Sequence, residues 1–188
     1  MIFQPFPKLP RLSREIIITE KLDGTNAQVA ISEDGRVFAG SRNRWLSVKD
    51  DNYGFAAWVQ ENRDELLKLG PGRHFGEWYG RGIQRGYGLE DRRFALFNVE
   101  RWEAHEDFPE CCTTVPFLYR GVFDADVITT TTEVLRLKGS KAVPGFMRPE
   151  GIVIYHKAAG VGFKKLLEND EVPKGVAEGK QQFILKDN

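Results

Sequence analysis

Ile16, Ile17, Ile18 and Thr19 run directly into Glu20, Lys21 and Leu22, and then into Asp23-Gly24. β-branched residues at this density favour an extended, buried strand, and Asp-Gly ends such a strand in a tight turn. The chain must therefore hold Lys21 at a strand end beside a backbone turn. A covalent lysine nucleophile needs that setting: a fixed position, partial desolvation, and neighbours that favour the neutral amine. Taken alone, Lys-x-Asp-Gly describes a surface lysine ahead of a turn equally well. The rest of the chain decides between the two.

Downstream, short strands surround one long helix. Residues 1–14 hold Pro5, Pro7 and Pro10 and predict an extended lead-in. Gln28–Ser32 and Val37–Gly40 predict a hairpin joined through Glu33-Asp34-Gly35. A helix is expected over Asp50–Leu69, capped by Asp50, Asp51 or Asn52 and stopped by Gly70-Pro71. His74–Tyr79 and Phe94–Val99 predict buried strands, separated by a glycine-rich loop over residues 80–88 that carries Arg81 and Arg85. Residues 103–116 predict a surface loop, and Thr130–Lys138 a short helix ending at Gly139. Gly151–Tyr155 and Val161–Leu167 predict two more strands, and residues 173–188 a polar tail of weak helix or coil. This mixture indicates an α+β domain rather than a regular βαβ array.

A length of 188 residues fits a single domain over 1–188. The 27 basic and 27 acidic residues balance to a formal charge of +0. That argues against gripping long nucleic acid by charge alone, while leaving room for a local basic groove. No apolar run is long enough to span a bilayer, and no charged-then-apolar leader opens the chain, so no membrane partner is expected. Cys111 and Cys112 are adjacent, and no zinc spacing is present. These features predict a cytoplasmic protein. With no G-x-G-x-x-G and no Walker motif, a bound nucleotide is not held by a P-loop.

Five further segments carry candidate chemistry. Ser41-Arg42-Asn43-Arg44-Trp45 sets two arginines beside an indole, suited either to phosphates or to a solvated cation–π contact. Phe75-Gly76-Glu77-Trp78-Tyr79 places a carboxylate in an aromatic run, where it needs a hydroxyl or cationic partner. Phe94-Ala95-Leu96-Phe97-Asn98 reads mostly as core, with one aromatic available to stack on a base. Glu150 ahead of Gly151-Ile152-Val153-Ile154 is a perch for Mg²⁺, or a plain turn residue. Phe163-Lys164-Lys165-Leu166 puts lysines in a strand, facing a phosphate or solvent.

Taken in this order, these segments resemble the covalent nucleotidyltransferase superfamily of ATP-dependent ligases and capping enzymes. Glu20-Lys21-Leu22-Asp23-Gly24-Thr25-Asn26, with Gly76-Glu77-Trp78-Tyr79-Gly80-Arg81-Gly82 and Arg148-Pro149-Glu150-Gly151-Ile152-Val153, is most similar to the phage-type ATP-dependent RNA ligase family. The likeness extends from about residue 15 to about residue 170. It implies an adenylation domain of mainly antiparallel sheets flanked by helices. It also implies that Lys21 attacks the α-phosphate of ATP to form lysyl-AMP. Glu20, Leu22 and Asn26 would then line the nucleotide, Arg42 bind ribose or phosphate, Glu77 accept from the ribose hydroxyl, and Phe97 pack on adenine. Glu150 would help to hold Mg²⁺ or Mn²⁺, and Lys164 or Lys165 would contact the α-phosphate. Arg44, Arg81 and Arg85 are the candidates for nucleic-acid contacts.

Two features depart from the family pattern. Its last motif usually reads Lys-x-Lys, whereas here the lysines are adjacent, and adjacent strand residues face opposite sides. Related ligases also commonly carry another domain after that motif, and no such accessory domain is expected here. The implied function is an ATP-dependent RNA ligase joining 5′-phosphate and 3′-hydroxyl ends of RNA, with a nicked duplex or DNA as alternative acceptors. The competing readings are a DNA ligase core, and a non-sealing module that binds nucleotide or RNA ends or depends on an accessory protein.

Overall fold

The isoleucine run becomes the centre of a sheet in the computed structural model, which describes residues 1–103 and 105–172. Strand β1 (Glu15–Lys21) lies between β7 (Phe117–Val122) and β8 (Gly151–His156), and β9 (Val161–Leu166) completes the order β7-β1-β8-β9. All pairings in this first sheet are antiparallel. The second sheet joins β2 (Thr25–Ile31), β3 (Val37–Ser41), β4 (Gly72–Gly80), β5 (Arg92–Leu96) and β6 (Cys112–Thr114) in the order β3-β2-β4-β5-β6. Within it β5 and β6 run parallel and the other pairs antiparallel. The α+β reading with mainly antiparallel sheets therefore holds.

Alternation along β1 sorts its side chains onto two faces. Ile16 and Ile18 pack outward with Ile152, Ile154 and Leu135 of α4 (Ala125–Lys138). The outer face of the second sheet, with Val29, Trp78 and Phe94, packs on Phe55, Ala56 and Val59 of α1 (Phe55–Glu61). Phe55 and Phe94 are fully buried, and each such ring contributes about 2 kcal/mol. Between the sheets Ile17, Leu22, Tyr79, Tyr87, Ala95, Val99 and Val115 form a third cluster. Helices thus cover both outer faces, and the inner faces meet at the site.

Several expectations need correction. The helix expected over Asp50–Leu69 is broken into α1, α2 (Arg63–Leu66) and a 3₁₀ turn over Leu67–Leu69. The break falls at Asn62, whose backbone leaves helical geometry at φ −103 and ψ 18 while its side-chain amide donates to the Trp58 carbonyl at 2.8 Å. Asp51 does cap α1, but from a distance: its carboxylate accepts from the Ala56 and Ala57 amides, while Gly54 with φ 74 occupies the cap position. The expected helix at Thr130 begins earlier, at Ala125, because Asp124 accepts from the Asp126 amide. Strand β7 was not anticipated, and β6 lies inside the expected surface loop. β5 stops at Leu96, and Val99–Trp102 form the short helix α3. The lead-in over residues 1–11 is exposed and without helix or strand, as read. The tail from residue 173 lies outside the described residues. Among the described residues no helix is long and apolar enough to cross a membrane.

Candidate active site

Within three residues the chain changes sheets. Lys21 ends β1 in the first sheet, and Thr25 begins β2 in the second. Gly24 makes the crossing feasible, since a Cβ there would lie 2.4 Å from the Trp78 carbonyl oxygen. Leu22 anchors the turn in the core between the sheets. The Asp23 amide donates to the Tyr87 hydroxyl at 2.8 Å, and its carboxylate accepts from Arg85 Nε at 2.9 Å. Arg85 Nη1 also donates to the Arg148 carbonyl at 2.9 Å. One guanidinium thus ties the Lys21 turn to the segment that delivers Glu150. Lys21 Nζ then lies 2.5 Å from Glu150 Oε2.

Beside this pair a polar chain crosses three strands. Asn26 Oδ1 accepts from Arg42 Nε and Nη2 at 3.0 and 2.8 Å. Asn26 Nδ2 donates to Glu77 Oε2 at 2.9 Å, and the Gly24 amide donates to Glu77 Oε1 at 3.2 Å. Burial raises the Glu77 carboxyl from the ordinary 4.5 to about 7, against the opposing pull of Asn26 and Lys21. Folding therefore takes up a proton at Glu77 between these values, and stability falls as pH rises through that window. Glu77→Gln removes the penalty. The variant is expected to be more stable than the wild type at pH 8, by an amount on the order of 2 kcal/mol, and to match it near pH 4.5. Urea unfolding across this range checks it, and a pH-independent difference would contradict it.

Lys21, Glu150, Asn26, Arg42, Glu77 and Phe97 all line one cavity of about 740 Å³. That is the size range of small-ligand sites. Phe97 is 40% exposed within it, directly after β5. Val115, Val153, Tyr155 and Glu100 complete the wall and were not singled out from the sequence. Val153 and Tyr155 were in principle findable, because each pairs across β1 with an inward residue, Thr19 and Ile17. Glu100 gives no such signal. It stands in α3 and pairs with Lys157 at 2.9 Å and Arg120 at 3.3 Å.

Alternation turns two candidate side chains away from the cavity, although Glu20 still contributes to its lining. The Glu20 side chain points to the outer face of the first sheet, away from Lys21. It is 1% exposed, and its carboxylate accepts from Ser140 Oγ and from the Lys141 and Ala142 amides at 2.5, 2.7 and 3.0 Å. It anchors that loop rather than offering a carboxylate to a ligand. Lys165 pairs with the outer residue Ile152 and lies 3.7 Å from Asp170, so it too faces away. Lys164 pairs with Val153 and stands on the pocket face, where its neighbours Gly162 and Leu166 carry no charge. β9 therefore presents one cation to the pocket side.

The candidate arginines also separate. Arg85 is the internal clamp described above, which removes it as a free nucleic-acid contact. Arg44 is likewise engaged, by the Asp50 carboxylate at 2.7 Å and by the Trp45 and Asp50 carbonyls. Arg81 is exposed, and its side chain makes no hydrogen bond among the described residues.

Among the described residues no three His, Cys, Asp or Glu side chains converge as a metal cage. Mg²⁺ and Mn²⁺ need less, a carboxylate or two with waters and phosphate oxygens. Glu150, directed into a cavity with room for phosphates, fits that role.

Solved structures share this fold. An RNA ligase variant of Naegleria gruberi with ATP and Mn superimposes with a TM-score of 0.63 at 21% identity, over 86% of this chain and 52% of that one. Another variant with AMP and Mn gives 0.60 at 22%, over 82% and 50%. An apo variant gives 0.62 at 22%, also over 82% and 50%. The chain thus spans about half the length of these ligases, and at this identity the likeness concerns the fold. No curated protein matches. The RNA ligase family model matches residues 14–167, the whole stretch from the lead-in to the end of β9. This chain belongs to the RNA ligase family.

Proposed function

We propose that the chain is the nucleotidyltransferase core of an ATP-dependent RNA ligase that works through adenylylated Lys21. The observation that carries this reading is the 2.5 Å contact of Lys21 Nζ with Glu150, inside a cavity that also gathers Asn26, Arg42, Glu77 and Phe97. Family membership supports RNA as the acceptor. The ATP, AMP and Mn of the Naegleria ligases support ATP with Mg²⁺ or Mn²⁺ here.

Each residue then has a task. Phe97 offers its exposed ring to adenine, and Glu77 accepts from a ribose hydroxyl. Arg42, oriented by Asn26, and Lys164 face the phosphates. Lys21 releases its proton and attacks the α-phosphorus, so a P–N bond forms as the bond to pyrophosphate breaks. The AMP next passes to a 5′-phosphate end, which frees Lys21. A 3′-hydroxyl then attacks that end, and AMP leaves. Glu150 would hold a divalent ion, which would supply positive charge to offset the reacting phosphate.

Intact mass after incubation with ATP and Mg²⁺ tests the reading, followed by nicked and single-stranded RNA. A gain of one AMP and joined RNA are expected. A gain without joining assigns sealing to additional protein, in keeping with the single pocket-facing lysine of β9. No gain overturns the reading. Arg85→Ala is expected to slow AMP incorporation about tenfold or more by letting the Lys21 turn and the Glu150 segment drift apart. Arg85→Lys does not restore it, because an ammonium cannot span both partners. Single-turnover labelling measures this, and a wild-type rate in Arg85→Ala would remove the clamp from the mechanism.

A further inference from the structure

The inner face of the second sheet does not end at the pocket. Its first row is Asn26, Glu77 and Ala95, and its next is Gln28, Phe75 and Phe97. Beyond these stand Ala30, Arg73 and Phe38, with Trp45 bridged to Gly40 at the edge. The helices α1 and α2 pack on the opposite face. Phe97, Phe75, Trp45 and Phe38 are consequently 40%, 52%, 51% and 42% exposed.

Cations stand among these rings. The Arg73 guanidinium lies 5.3 Å from the Trp45 ring centroid and donates to Gln28 Oε1 at 3.1 Å. Arg36 lies 5.9 Å from the Phe38 centroid at the far end, and Arg42 stands at the pocket end. Among the inward positions of β2 to β5 the one carboxylate is Glu77, inside the pocket.

We propose that this face is a docking track for single-stranded RNA, leading away from the pocket. It rests on the ligase reading above. Exposed rings with arginines between them match stacked bases and their phosphates. Arg36 is already paired with Asp34 at 2.9 Å, but an apolar protein segment would fill the rings and leave Arg42 and Arg73 without counter-charge. A paired duplex buries its base faces and cannot stack on Phe75 or Trp45. Continuity through Phe97 and Arg42 brings the strand's end to Lys21.

The test uses the full chain and a fluorescein-labelled single-stranded RNA of a dozen or so nucleotides, read by anisotropy. AMP incorporation is measured on the same preparations. Phe75→Ala and Trp45→Ala are each expected to weaken RNA binding roughly fivefold or more, at unchanged AMP incorporation. Phe75→Tyr and Trp45→Phe retain binding. Arg73→Ala lowers the salt slope by about 0.7. Unchanged affinity in both alanine variants overturns the proposal, whether the face is bare or covered by a protein segment. Should an alanine variant fail to fold, photocrosslinking of 4-thiouridine RNA to the wild type decides. Crosslinks within residues 36–45 and 73–75 support the track, and crosslinks confined elsewhere overturn it. Wild-type protein that takes no AMP, yet binds RNA through this face, would sink the ligase reading and leave the surface standing.

Discussion

Lys21→Ala takes up no AMP from ATP, however long the incubation, while still binding the nucleotide without a covalent bond. The expectation follows from the division of labour in the pocket. Phe97, Glu77 and Arg42 stand on the second sheet or its flanks and do not depend on Lys21 for position. Removal of the amine therefore abolishes bond formation and spares most of the binding surface. Intact mass gives the first readout, and ATP titration by calorimetry the second. An undiminished mass gain in the variant would move the nucleophile elsewhere, with Lys164 next in line because it alone among the β9 lysines stands on the pocket face.

Glu150→Ala is the companion experiment, and its expected effect is a loss of about a hundredfold or more in the rate of AMP incorporation. Glu150 is the acidic partner of Lys21 and the residue that fits a divalent ion, so removing it takes away both restraints. Raising Mg²⁺ or Mn²⁺ does not rescue the variant, and Glu150→Gln behaves like alanine because the negative charge is what both partners need. Single-turnover labelling over a metal titration distinguishes the roles. A near-normal rate at saturating metal would reduce Glu150 to a resting partner of the lysine.

Both residues were legible in the sequence because each sits at the mouth of an apolar strand, beside a turn. Ile16–Ile18 and Ile152–Ile154 name two strands, and those strands pair with each other, which brings Lys21 to Gly151 and hence beside Glu150. Phe97 and Glu77 were legible for the opposite reason, as a ring and a carboxylate in places where burial alone is a poor explanation. Which side chains face the cavity was not legible. Residue type and motif order say nothing about face, and Glu20 and Lys165 stand one residue from a pocket-facing neighbour on a lattice of period two. The arginines failed differently. Arg85 looks like a free cation in a glycine-rich loop, but its partners are a carboxylate and a carbonyl 62 and 63 residues away, and no local pattern encodes them. Strand β7 was missed because Arg120 and Gly121 interrupt the apolar pattern of an edge strand whose partner is distant in the chain.

The position of β1 has a consequence for the order of events during synthesis. The strand leaves the ribosome well before its two neighbours, which come from residues 117–122 and 151–156. It cannot take its place until both neighbours have been made, and closing contacts of such long sequence separation is slow. A partly made chain thus carries Lys21 without Glu150, its partner 129 residues downstream. On the ligase reading proposed above, such a chain is expected to take up no AMP until the first sheet closes.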